Sequence, residues 1–231
     1  MMFFKPFRAA ERFLKTRPVF VWAMACCIAL AGLFGASPAE AGNQRLEPLS
    51  AAVRTALAAA VLDRSPPKPR YASTFEESDW IAEMSSHLPA RHKPTAFERT
   101  EFLQMVRYEA QRAGLDPHMV LGLIQVESGF RRHAISSAGA RGYMQVMPFW
   151  TELIGDSDSS RLFDARTNLR YGCVILRHYI DRENGDLFRA LGRYNGSLGR
   201  PEYPRAVLAA WKRWTYAPDP TVTPIQVAAR P

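Results

Sequence analysis

The chain has 231 residues, 47% of them hydrophobic and 23% charged, which are the proportions of a globular protein. This length allows one domain of ordinary size plus appendages. The formal charge of +8 suits an anionic polymer such as a cell wall, a membrane surface or nucleic acid, although a solvated basic surface explains it equally well. Nucleic acid is disfavoured because the basic residues are scattered rather than gathered in one stripe.

The N-terminus has the pattern of an export signal. Basic residues occupy positions 5 to 17, an uncharged and mostly apolar run follows from Val19 to Ala36, and Ala39-Glu40-Ala41 supplies a small-x-small cleavage site. We therefore expect residues 1–41 to be a signal peptide cleaved before Gly42, and the mature protein to reside in the periplasm. The alternative is an uncleaved membrane anchor, because the apolar run approaches the roughly 18 residues that span a bilayer.

The segment that follows is rich in alanine and proline. Residues 49 to 63 favour a short helix, and the prolines between Ser65 and Pro69 break it, so we interpret residues 42–70 as a linker that contains one helix. A second short helix is predicted from Trp80 to Leu88. Residues 42–94 carry no motif from which a function follows, and they are a possible docking segment for other cell-envelope proteins.

Two helices with clear boundaries come next. Apolar residues repeat at helical spacing from Thr95 until Gly114 stops the pattern. Asp116 and Pro117 then form an N-cap and first turn, and the stretch up to Gly129 is apolar on nearly every side, which predicts a helix buried in the core. Gly122 lies in the middle of this helix, where it lowers helix propensity but allows a neighbour to pack closely.

The remainder predicts a mainly α fold. Residues 129 to 142 indicate a loop with a short hairpin, and helices are expected over Asp164–Ile180, Asp186–Tyr194 and Pro204–Trp214. Residues 71–215 would form the main domain, and the proline-rich residues 216–231 would be a disordered tail. Cys173 is the only cysteine after the signal, so the mature chain has no internal disulfide.

Glu127 is the residue that most clearly indicates chemistry. It is the only acid between Asp116 and Glu152, and it stands in one of the most apolar stretches of the chain. A carboxyl group in such surroundings either finds a buried partner, such as an arginine, or stays protonated near neutral pH and can donate a proton. Glycoside cleavage requires one carboxyl group of the second kind.

The residues around and after Glu127 resemble the signature of the soluble lytic transglycosylases, whose catalytic domain has a lysozyme-like fold. The resemblance extends over roughly residues 103 to 214 and includes a Tyr-Asn motif. The matched positions are Glu127, Ser128, Phe130, Ala134, Ser136, Gly139, Ala140, Gly142, Met144 to Pro148, Asp164, Asn168, Gly172, Gly185, Asp186, Leu191 and Tyr194 to Gly196. Tyr143, Phe149-Trp150 and Gly196-Ser197 depart from the family pattern and put subsite preference in doubt.

The resemblance implies cleavage of the β-1,4 bond between N-acetylmuramic acid and N-acetylglucosamine in peptidoglycan, without water and with a 1,6-anhydro product. Glu127 would act first as acid and then as base, with no second carboxylate. No acid lies between positions 128 and 151, but Asp156, Asp164 and Asp186 could still approach it in the fold.

The resemblance also implies a set of substrate-binding residues, each of which has a structural alternative. Ser136 would contact substrate near the cleaved bond, and Tyr194 would bond near the catalytic carboxyl. Met144 and Gln145 would line the sugar groove, although Met144 could belong to the core and Gln145 could be a structural hydrogen bonder. Asn195, next to Tyr194, could instead be a turn or cap residue.

Two other functions remain open at this point. The same fold and Glu127 would permit lysozyme-like hydrolysis by a muramidase, and a catalytically silent peptidoglycan-binding protein belongs to a different class. No cofactor is expected: the five histidines show no metal-ligand spacing, and no glycine-rich phosphate loop occurs.

Overall fold

The structure, a computed structural model, describes residues 44–62, 74–92 and 95–215. The predicted signal peptide (1–41) and C-terminal tail (216–231) therefore lie outside the described residues. The described ranges contain helices but no named strand, which confirms the mainly α prediction, and none of these helices has the length and hydropathy needed to cross a bilayer. The helices are α1 (Ala51–Leu62), α2 (Thr74–His87), α3 (Ala96–Arg112), α4 (Pro117–Ser128), α5 (Phe149–Ile154), a 3-10 turn (Ser159–Phe163), α6 (Ala165–Arg182), α7 (Leu187–Asn195) and α8 (Glu202–Trp214).

The ends of α4 follow the sequence signals. The Asp116 carboxylate accepts from the backbone N–H of His118, and Pro117 occupies the first turn, where its missing N–H leaves no bond unmade. Gly129 ends the helix in the left-handed conformation at φ 57°. These boundaries, predicted from residue types alone, fix Glu127 in the last turn of α4.

Helix α4 is the buried axis of the domain, and α8 packs directly against it. A Cβ atom at Gly122 would lie 2.6 Å from the backbone nitrogen of Trp211, so only glycine allows the two helices to approach this closely. The prediction that Gly122 permits close packing is confirmed. This contact brings the start of α8 alongside the end of α4.

The loop after α4 forms a compact unit rather than a regular hairpin. Single antiparallel bridges join Ile135 to Arg141 and Arg141 to Val146. Asn168, 1% exposed on α6, accepts from the Met144 N–H at 2.8 Å and donates to the carbonyls of Arg141 and Leu162, both at 2.8 Å. One side chain thus holds three points of the backbone beneath the loop.

Residues upstream of the matched region pack against the same domain. Glu47 forms ion pairs with Arg182 at 2.6 Å and Arg193 at 3.0 Å. Arg112 on α3 donates to the carbonyl of Ala60 in α1 at 2.7 Å. The segment interpreted as a linker therefore includes helix α1, which is bonded to α3. Glu47, which precedes this helix, is ion-paired with α6 and α7.

Several helix boundaries, among them the starts of α2 and α8, and two short elements differ from expectation. Helix α2 begins at Thr74 instead of Trp80, and α8 begins at Glu202 instead of Pro204. Pro204 marked the expected start, but a proline is also tolerated within the first turn, where no intrahelical bond uses its nitrogen. Helix α5 and the 3-10 turn were not predicted, since six and five residues are too few to establish a helical period.

Candidate active site

Glu127 lies at the centre of the site and is 4% exposed. Its Oε1 accepts a hydrogen bond from the hydroxyl of Tyr203 at 2.5 Å. Its Oε2 is buried and has no hydrogen-bond partner among the described residues. Within the same ranges, no lysine, arginine or histidine nitrogen lies within the 4.0 Å of an ion pair with this carboxyl group.

Burial determines the protonation state of Glu127. Loss of hydration disfavours the charged form and raises the pKa of Glu127 from 4.5 to about 8, while the hydrogen bond from Tyr203 lowers it. The carboxyl group is therefore largely protonated at neutral pH. With Oε1 engaged by Tyr203, Oε2 is the oxygen that can carry a transferable proton.

Glu109 is a second buried glutamate, and unlike Glu127 it is paired with arginines. It is 2% exposed on α3, and Arg170 donates to both of its oxygens, at 2.9 and 3.2 Å. Arg112 lies 3.5 Å away as a second cation. Glu109 is thus the arginine-paired carboxylate that was the alternative for Glu127, and the two glutamates differ in partners rather than in burial.

Tyr203 is the site residue that the sequence analysis missed. It is 1% exposed in the first turn of α8, and burial followed by the proximity of Glu127 raises its pKa well above the ordinary value. The hydroxyl therefore stays protonated and acts as a donor. The sequence offered a signal for its burial but not for its partner: a helix that includes residues 203 to 210 places Tyr203 on the same face as Val207 and Ala210, which are both fully buried.

Tyr194 supports the loop instead of contacting Glu127 directly. Its buried hydroxyl donates to the Met144 carbonyl at 2.7 Å. Burial is the main cause that raises the Tyr194 pKa, and the next is the charge of Glu127, so the two side chains are electrostatic neighbours. Tyr194 therefore connects the end of α7 with the backbone of the loop.

Met144 and Gln145 are both buried, at 0% and 2% exposure. Met144 packs against Gly172, where a Cβ would lie 2.4 Å from its sulfur, so the core alternative fits its position. The Gln145 amide donates to the carbonyls of Gly142 at 2.8 Å and Ala134 at 3.2 Å. These side chains shape the loop from within and present almost no surface to a groove, whereas Met147 is partly exposed.

Ser136 and Asn195 occupy different settings. Ser136 is partly exposed in the loop, and its hydroxyl accepts from the Ala140 N–H at 3.1 Å. Asn195 is 5% exposed at the end of α7, and its Nδ2 donates to Ser197 at 3.2 Å. The Asn195 Oδ1 is buried and has no hydrogen-bond partner among the described residues.

The three acids left open as second carboxylates have structural partners. Asp156 pairs with Arg161, Asp164 caps α6 through the Thr167 N–H, and Asp186 caps α7 through the Arg189 N–H. Metal chemistry has no candidate ligands here, since the described ranges hold no group of three or more His, Cys, Asp or Glu suited to a metal ion. Glu127 is the group on which acid–base chemistry can rest.

Comparison with known proteins adds an independent observation. Residues 104–206 match the Transglycosylase SLT domain. The chain is 32% identical over 114 residues to membrane-bound lytic murein transglycosylase C of Haemophilus influenzae (strain PittEE), covering 43% of this chain and 32% of that protein. It is 39% identical over 84 residues to the protein of that name from Mannheimia succiniciproducens, covering 33% and 24%.

A phage protein is also similar to part of the chain. The chain is 34% identical over 89 residues to a transglycosylase of Enterobacteria phage PRD1, covering 38% of this chain and 32% of that protein. The chain thus spans about a third or less of the length of these relatives. The match to the Transglycosylase SLT domain begins within α3 and ends within α8, so it includes Glu127, the loop after α4 and Tyr203.

Proposed function

Because this chain contains a transglycosylase SLT domain at residues 104–206, we propose that the protein is a lytic transglycosylase that acts on peptidoglycan. It cleaves the β-1,4 bond between N-acetylmuramic acid and N-acetylglucosamine. The observation that carries the proposal is Glu127, a buried carboxyl group with its pKa raised to about 8 and one oxygen without a partner among the described residues.

In the proposed reaction, Glu127 donates one proton and later accepts another. Protonated Glu127 gives its proton to the glycosidic oxygen, and the bond from that oxygen to C1 of the muramic acid breaks. The ionised Glu127 then takes a proton from the 6-hydroxyl of the same sugar, whose oxygen forms the new bond to C1 and closes the 1,6-anhydro ring. The group ends protonated as it began, and no water is consumed.

The surroundings of Glu127 favour this cycle over a two-carboxylate mechanism. A retaining glycosidase that uses two acids holds them about 5–5.5 Å apart, and the candidate acids of this chain serve as helix caps or ion-pair partners. The acetamido group of the substrate would shield the positive sugar between the two steps. Tyr203 holds Oε1 in place throughout.

The proposed location is the cell envelope. Two relatives are named membrane-bound, and peptidoglycan lies outside the cytoplasm. The export pattern of residues 1–41, with cleavage before Gly42, would deliver the protein to the periplasm.

Digestion of purified sacculi tests the proposed activity. Chromatography with mass spectrometry should detect muropeptides with 1,6-anhydro ends, one water lighter than products with reducing ends. Reducing ends would instead identify a muramidase, and binding without release of any muropeptide would identify a silent binding protein.

A further inference from the structure

A pocket of about 500 Å³ lies directly beyond the C-terminal end of α4. Its walls carry three arginines and two histidines, and no acidic residue contributes to them among the residues that the structure describes. We call it the cationic pocket and define it by Arg91, His92, Arg131, Arg132, His133 and Ile135. Arg131 follows Glu127 by four residues, so the pocket adjoins the end of the helix that carries the catalytic group.

The three arginines are held in place before any ligand arrives. The Nε of Arg131 donates to the carbonyl of Ser128 at 2.9 Å, and the Nε of Arg132 donates to the carbonyl of Phe163 at 2.9 Å. The Nε of Arg91 donates to His92 at 3.0 Å. A guanidinium group fixed in this way loses less side-chain entropy when it binds an anion.

The outer nitrogens of these guanidinium groups are not used within the protein. The Nη atoms of Arg91, Arg131 and Arg132 make no hydrogen bond, and no carboxylate forms an ion pair within 4.0 Å of them, in the described parts of the chain. Arg132 interacts electrostatically with Asp164, whose Oδ1 already accepts from Thr167. Paired Nη donors are the groups that bind carboxylates in a bidentate manner.

The pocket also has an apolar side. Ile135 is 64% exposed at its edge, and Phe130 contributes to its wall. A small inorganic anion would leave this surface unused, whereas a short peptide with carboxylates and methyl groups would contact both parts. In intact peptidoglycan the lactyl carboxyl group of each muramic acid is bound as an amide, so the glycan offers no such anion, but the attached peptide offers carboxylates.

We propose that the cationic pocket is a binding site for the carboxylates of the peptide stem of peptidoglycan, next to the catalytic centre. This inference rests on the proposed function, because it takes peptidoglycan as the substrate. The pocket makes the enzyme prefer strands that still carry their peptides over strands from which the peptides have been removed. Arg91 and Arg132 are specificity residues and take no part in proton transfer.

The first experiment compares two substrates and two double variants. The full chain and the variant Arg91→Gln/Arg132→Gln are assayed on peptide-bearing strands and on strands stripped of peptide by an amidase, whose exposed lactyl carboxylates are then converted to methylamides. The matched control is Arg54→Gln/Arg213→Gln, which removes the same charge from two exposed positions on α1 and α8. We expect kcat/KM of the pocket variant on peptide-bearing strands to fall about tenfold, and on stripped strands by less than about twofold, relative to the control. An equal fall on both substrates, or no fall, would overturn the proposal.

The second experiment does not depend on turnover. Binding of the tripeptide L-alanyl-D-isoglutamyl-meso-diaminopimelate is measured by titration calorimetry and compared with its amidated, carboxylate-free form and with inorganic phosphate. The wild-type protein should bind the free tripeptide at least about tenfold more tightly than the amidated form, and the pocket variant should lose this difference. Binding with no sugar cleavage would refute the activity and keep the pocket assignment. No binding of the tripeptide, or equal binding of phosphate, would refute the pocket assignment.

Discussion

The hydroxyl of Tyr203 donates a hydrogen bond of 2.5 Å to Oε1 of Glu127, and this bond joins the first turn of α8 to the last turn of α4. Both side chains are buried, so solvent does not compete for the bond. It orients one oxygen of the carboxyl group and leaves the other without a partner in the described ranges. The geometry of Glu127, the proposed catalytic group, therefore depends on how closely α8 approaches α4.

Replacing Tyr203 with phenylalanine should shift the pH profile upwards. The Tyr203 hydrogen bond favours the ionised form of Glu127 and lowers its pKa, so without it the pKa rises above about 8. Because the acid must start protonated, the alkaline limb of kcat/KM should move to higher pH, while kcat falls about tenfold as the carboxyl group loses its orientation. The control is Tyr171→Phe, which removes a buried hydroxyl from α6. An alkaline limb that stays in place or moves to lower pH would refute this role of Tyr203.

Replacing Glu127 with glutamine should abolish cleavage and stabilise the protein at alkaline pH. Glutamine keeps an oxygen that accepts from Tyr203 but has no proton to donate, and loss of a general acid lowers the rate by about 10²–10⁴. In the wild type, the folded-state pKa of about 8 lies above the ordinary 4.5, so stability decreases as pH rises through this window. Denaturant unfolding from pH 4 to 9 should show the variant gaining on the wild type by a few kcal/mol, on the order expected for a buried charge. A constant difference across this range would contradict the raised pKa.

Replacing Glu109 with glutamine should have the opposite effect on stability. Arg170 and Arg112 would then lose the carboxylate that compensates their charge in a largely buried position. Breaking such a pair costs about 3–5 kcal/mol, and chemical unfolding at pH 7 measures it. Wild-type stability of this variant would show that the two arginines do not depend on the Glu109 carboxylate, and it would contradict the contrast drawn between Glu109 and Glu127.

Replacing Gly122 with alanine should separate α4 from α8. The added Cβ would meet the Trp211 backbone at 2.6 Å, and a helix backbone cannot yield as a side chain can. We expect a loss of about 1–3 kcal/mol in unfolding free energy together with a loss of activity as Tyr203 moves from Glu127. Gly192→Ala on α7 is the matched control, because its Cβ meets nothing nearer than the Leu198 backbone at 3.3 Å and should cost less. Equal losses of unfolding free energy and activity in both variants would contradict the claim that Gly122 is specifically required for the packing of α8 on α4.

The sequence was sufficient where a signal is local. The ends of α4 could be predicted from Asp116, Pro117 and Gly129, because helix capping involves residues close together in the sequence. The close packing at Gly122 could be predicted because a glycine inside a helix allows a neighbouring backbone to approach. The sequence was insufficient for Tyr203, which lies 76 positions from Glu127 in the sequence and contacts it only after α4 and α8 have packed. No local pattern indicates such a pairing.

The predicted substrate-binding residues show another limit of prediction from the sequence. A family motif identifies the positions that matter without saying whether a side chain faces ligand or core. Met144 and Gln145 lie inside the loop, where packing against Gly172 and backbone carbonyls determines their positions. Their roles in substrate binding remain predictions, as does that of Ser136.

The central claim is that Glu127 is uncharged at neutral pH, and carbon-13 NMR titration of its side-chain carboxyl group tests this directly. The protein is labelled at glutamate carboxyl carbons, and the Glu127→Gln variant identifies the signal by its disappearance. We expect a titration midpoint near 8, as burial raises the pKa to about 8. A midpoint near the ordinary 4.5 would mean that the group is ionised at neutral pH, and the proposed proton transfer would have no donor.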